Sequence, residues 1–72
     1  MSDATDPLLR WFEYGHLPLD LKEISGLFGD LATDIVDALP RTAERSVALR
    51  KLLEAKDAAV RCAIEARELI TE

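Results

Sequence analysis

The chain of 72 residues holds one cysteine, Cys62, and one histidine, His16. A single thiol excludes a disulfide within the chain. One Cys and one His supply neither a closed zinc site nor a Cys–His nucleophile, so no metal and no cofactor are expected. No apolar run approaches the ~20 residues of a membrane helix, and the acidic opening Met1-Ser2-Asp3 is unlike a basic signal-peptide start. A cytoplasmic setting without a membrane partner is expected, with Cys62 reduced and buried in the apolar pattern around it. Positive charge is also scarce: 9 Lys and Arg stand against 14 Asp and Glu. That balance argues against binding a DNA or RNA duplex, whose affinity comes largely from neutralised phosphates. Gly-rich phosphate loops, a Ser-centred elbow and metal-spaced clusters are missing as well. Ser25 precedes Gly26 and lacks the Asp-Ser-Leu setting of an acyl carrier. No catalytic residue is expected, and the chain does not read as an enzyme.

What the chain has in quantity is helix. From Thr42 to Ile70 it runs 29 residues with neither Gly nor Pro and is dense in Ala, Leu, Glu, Lys and Arg, the strongest helix formers. Leu49, Leu52, Leu53, Val60, Ala63, Ile64 and Ile70 recur at threes and fours, as on one helix face. A helix of that length would extend roughly 40 Å. Upstream, Asp20 with Glu23 has capping-box spacing. An apolar stripe of Leu21, Ile24, Leu27, Phe28, Leu31, Ile35 and Leu39 follows, with Gly26 and Gly29 inside it. Either another backbone or a ligand approaches these glycines closely, or the helix simply tolerates them. Pro40 stops the first helix, and Thr42 caps the second.

The connection is short enough to force the helices antiparallel. The expected fold is therefore all-α: one domain with an arm over 1–18, helix one over 20–39 and helix two over 42–70. Helix one would cover about two thirds of helix two, leaving Arg61 to Ile70 to meet the arm, another subunit or water. Asp57, Arg61 and Glu65 at i, i+4 spacing read as an exposed ion ladder.

Helix two carries more apolar surface than one partner helix can cover. Ala55, Ala59, Cys62, Ala63 and Ala66 widen the stripe, and small side chains let a second backbone come close. These residues are the expected interface of a homo-oligomer. A core this small is marginal alone.

The arm, R-W-F-E-Y-G-H-L-P, concentrates three of the four aromatic residues. Trp11 and Phe12 read as a cap closing one end of the hairpin or as ligand contacts. Tyr14 alternates with Phe12 and points elsewhere, where its ring could stack on a planar base and its hydroxyl meet a phosphate. His16 is either a surface residue or a further contact. Six bases fall between Arg41 and Arg61, Arg45 and Arg61 among them, where a small anion could find a local positive site, and any pocket is expected between subunits.

W-F-E-Y-G-H-L-P, then I-V-D-A-L-P, then E-R-S-V-A-L-R-K-L-L-E-A-K-D-A-A-V-R-C-A-I resembles the small phage proteins that share the hairpin domain of anti-CBASS and anti-Thoeris sponges. The resemblance runs from about Arg10 to Ala66. It implies a non-enzymatic trap, assembled as a hexamer or another even-numbered homo-oligomer. Such a trap sequesters cyclic nucleotide messengers of bacterial defence (cyclic di- or trinucleotides, or cyclic ADP-ribose types) in the host cytoplasm during infection. It also implies that Tyr14 and Lys22 hold the ligand, with Arg61 near a symmetry axis. Gly26 and Gly29 depart from the pattern where a helix-one base is expected. The alternative is an oligomeric hairpin adaptor that docks on a host or phage protein and takes no small molecule.

Overall fold

A computed structural model of the protein describes residues 6–70, except the side chain of Ile70. The expected start of the arm, residues 1–5, lies outside the described residues. The described chain is helical, with no strand: a 3-10 helix over Pro7–Phe12, then α1 over Leu19–Ala38 and α2 over Ala43–Ile70. The two long helices pack against each other and the 3-10 helix rests on both. The result is a rod of 49 × 20 × 16 Å. Among the described residues no helix is long and apolar enough to cross a membrane.

Local chemistry explains each boundary. Asp6 caps the 3-10 helix by accepting from the Leu8 amide at 3.0 Å, and Pro7 follows at a position that needs no donor. The arm then turns through Tyr14–Leu17, where the Leu17 amide donates to the Tyr14 carbonyl at 3.1 Å. Pro18 is the N-cap of α1 and offers no side-chain bond. This corrects the expected Asp20 capping box: Asp20 lies inside the first turn and is engaged elsewhere. At the hairpin bend, Thr42 Oγ1 does accept from the Arg45 amide at 3.2 Å, the cap expected for α2.

The face of α1 that meets α2 differs from the one the large apolar residues mark. Leu21, Ser25, Gly29, Ala32 and Val36 are buried. By contrast, Leu27 is 67% and Leu31 48% exposed, and Leu39 is likewise exposed. Small residues at the contact line let the helix axes come close, and the bulky ones are left on the flanks. The core is Phe12, Ala32, Val36 and Leu49, with Leu8, Leu9, Phe28, Ile35, Leu52 and Leu53 packed around it. Phe12 thus closes the hairpin from the arm, as one of its two readings had it.

Cys62 is exposed, against the expectation of a buried thiol. It lies two residues beyond the inward-facing Val60, about 200° round the helix. The C-terminal end of α2, expected to lie beyond the reach of helix one, is in fact held by it. Arg67 grips Asp20 with Nε at 2.6 Å from Oδ2 and Nη2 at 2.8 Å from Oδ1. This fork ties the first turn of α1 to the last turns of α2. The mutual contact pulls the Asp20 carboxyl below its ordinary value, chiefly through the Arg67 hydrogen bond.

A buried ion pair locks the other end. Arg45 is 2% exposed. Its Nη2 donates to Asp6 Oδ2 at 2.7 Å, while Nη1 donates to the carbonyls of Val36 at 3.3 Å and Leu39 at 3.0 Å. One guanidinium therefore pins the arm and satisfies carbonyls left open at the C-terminus of α1. The Leu8 amide, and after it Arg45, hold the Asp6 carboxyl below its ordinary value against the opposing effect of burial.

A candidate ligand groove between the arm and the helices

Where the arm leaves the 3-10 helix it stands off the hairpin and forms an open groove of about 530 Å³. Trp11, His16 and Leu17 supply the arm wall, Val60 and Arg61 the α2 wall, and Ser25 the α1 side. Three expected ligand residues, Trp11, His16 and Arg61, therefore meet in one place. They do so within a single chain, without the second subunit that the sequence reading required.

Two further bases border the groove. The Arg10 guanidinium lies over the Trp11 ring, 4.9 Å from its centroid, a cation–π contact that orients both. Lys56 Nζ donates to the Trp11 carbonyl at 2.8 Å and lies 3.3 Å from Asp57 Oδ1. Arg61 makes no ion pair among the described residues, so the expected Asp57–Arg61–Glu65 ladder is not formed. With Glu13 and Asp57 also in the lining, the groove holds three bases against two acids, a local surplus of positive charge in a chain of net −5.

Ser25 differs from the rest of the lining. It is 1% exposed, and its hydroxyl has no hydrogen-bond partner.

The remaining expected residues are dispersed. Tyr14 faces a smaller hollow of about 200 Å³ with Gly29, Asp30 and Thr33, and Glu13 borders both hollows. The Tyr14 ring lies over Gly26 and Gly29, and its hydroxyl makes a long contact of 3.4 Å to Asp30 Oδ1. The glycines thus admit a ring of this chain's own arm. Phe12 is in the core, Arg45 is buried at the bend rather than facing a ligand, and Lys22, half-buried, lines neither hollow.

Sequence reasoning missed Arg10, Lys56 and Ser25. The adjacency of Arg10 and Trp11 was a usable signal. Lys56 and Trp11 are 45 positions apart, and no local pattern joins them.

Along α2, Ala55, Cys62 and Ala66 are exposed while Ala59 and Ala63 are half-buried, and Ala63 falls on the inward side in line with Lys56. At 100° per residue, Ala55, Ala59, Cys62 and Ala66 fall about opposite Asp57 and Arg61. The groove and the small-residue flank therefore occupy opposite sides of the helix. Among the described residues no three His, Cys, Asp or Glu side chains converge to hold a metal ion. Comparison with known proteins returns no match: no family model, no curated protein and no solved structure is significantly similar to this chain.

Proposed function

We propose that this protein is a non-enzymatic binder of cyclic nucleotide messengers, acting as an oligomeric phage-encoded sponge in the host cytoplasm. The groove carries the proposal. A ring-bearing anion needs aromatic or apolar walls for its base and unengaged positive charge for its phosphate. Trp11 and Val60 offer the first and Arg61 the second. The resemblance of the arm and hairpin motifs to the sponge proteins supplies the messenger class. The absence of any hydrogen bond to Ser25 Oγ favours binding over catalysis, because no base polarises the one buried hydroxyl in the groove.

The test is a thermal-shift and calorimetry series with cyclic dinucleotides, cyclic trinucleotides and cyclic ADP-ribose isomers. A ligand at a hundred times its dissociation constant adds about 2.7 kcal/mol to the folded state. Arg61→Ala and Trp11→Ala are expected to weaken binding with helical content unchanged. No shift with any of these compounds removes the proposal.

A second reading, a hairpin adaptor for a host or phage protein, is favoured by one observation. Leu27 and Leu31 form an exposed apolar ridge on α1 beside the acids Asp30 and Asp34, a pattern suited to a partner helix.

A further inference from the structure

Two serine or threonine side chains of α1 behave differently. Thr33 Oγ1 donates to the Gly29 carbonyl at 3.1 Å, the usual way a helix hydroxyl satisfies itself. Ser25 has the same option one turn back and does not take it; its Oγ is buried and unpartnered. The position is on the interior line of α1, where Ala32 serves two turns later. Alanine at 25 would fill nearly the same space, form helix more readily and leave no stranded hydroxyl. Folding therefore gives no reason for a serine here. Ser25 belongs to the lining of the groove, the one open space beside it from which a partner for the buried hydroxyl can come.

The neighbours narrow the identity of that partner. Around the floor stand the apolar side chains of Leu17 and Val60. Of the bases in the lining, Lys56 already serves the Trp11 carbonyl and Asp57, and Arg10 lies over the Trp11 ring. An anion pushed to this depth would be poorly compensated. The polar edge of a flat ring meets no such penalty, and its faces match Trp11 and Val60. The phosphate then remains at the rim beside Arg61, which is exposed.

We propose that Ser25 is the base-reading residue of the groove: a nucleobase enters edge-first, and a ring acceptor takes the Ser25 O–H while Arg61 holds the phosphate outside. This rests on the nucleotide-binding function proposed above and assigns the orientation of the ligand within it.

The test uses the full chain and its Ser25→Ala variant, titrated with cyclic di-AMP, adenosine and inorganic phosphate. Loss of one hydrogen bond is expected to weaken cyclic di-AMP and adenosine alike by about tenfold. Phosphate binding is expected to be unchanged. The melting temperature of the ligand-free variant should equal or exceed that of the wild type, since an unpaired buried group has been removed.

Equal affinity of variant and wild type for cyclic di-AMP and adenosine overturns the role of Ser25 and leaves the sponge function standing. Weakening of phosphate binding alone overturns the edge-first orientation. A ligand-free melting temperature lowered by several degrees shows Ser25 to be structural and overturns the assignment. A wild-type protein that binds neither cyclic di-AMP nor adenosine overturns the base-reading assignment, whereas the nucleotide-binding function falls only when the whole messenger panel fails.

Discussion

Tyr14 and Gly29 touch so closely that a β-carbon on the glycine would stand 2.9 Å from Tyr14 Cε1 and 3.1 Å from the Phe12 carbonyl oxygen. At Gly26 the nearest Tyr14 atom would be 3.4 Å away. The two glycines therefore predict opposite mutational signs. Gly29→Ala should destabilise by about 1–2 kcal/mol, overpacking outweighing the gain in helix propensity. Gly26→Ala should stabilise by about 0.5–1 kcal/mol. Urea unfolding measures both, and a Tyr14→Ala background should remove the part of the Gly29 penalty due to the ring, leaving that of the Phe12 carbonyl. Equal effects at the two positions would exclude the packed ring.

The Asp6–Arg45 pair is out of water on both sides. Removing one partner strands the other, so Asp6→Asn or Arg45→Met should cost about 3 kcal/mol. The Asp6 carboxyl titrates below its ordinary 3.8 in the folded chain. Its contribution to stability is thus complete above that value and disappears as pH falls through the lower folded value. Asp20 has the same sign. The urea midpoint should hold steady from about pH 7 to 5 with respect to these groups and drop below about pH 4. Asp6→Asn should make that acid limb shallower, and an unchanged limb would exclude Asp6 as its source.

The Arg67–Asp20 fork is exposed, so salt should weaken it. Arg67→Ala is expected to raise hydrogen exchange in the last two turns of α2 at low salt. At 1 M salt, where the screening length is about 3 Å, the difference from wild type should shrink. A salt-independent difference would mean that Arg67 acts by packing instead.

Self-association is proposed to use the side of α2 away from the groove. Ala55→Glu and Ala66→Glu change exposed residues, so each chain should still fold. Light scattering should report smaller species for both. Wild-type mass in both variants would move the inter-chain surface to the Leu27–Leu31 ridge, where Leu31→Lys tests it.

Legibility followed the range of the interactions. Pro40 and Thr42 act within a few positions, and both helices run within one residue of their expected limits. The interior face of α1 was misread because bulk was taken for burial. Close-packed helices prefer Ser25, Gly29 and Ala32 at the contact and leave Leu27 and Leu31 outside. Arg45 was indistinguishable from a surface base, because its partner Asp6 is 39 positions away. For the same reason the groove appeared only in part: Trp11, His16 and Arg61 carried visible chemistry, whereas Lys56 and Ser25 acquire their roles only once the chain is folded.

Lys56 grasps the arm by the Trp11 carbonyl, an atom that every residue type possesses. The hook is therefore indifferent to which side chain occupies position 11. Replacing the indole by another ring would alter the wall of the groove while leaving the attachment of the arm intact. Under the proposed function, ligand preference and mechanical anchorage can thus diverge independently, and a changed target needs no rebuilt frame.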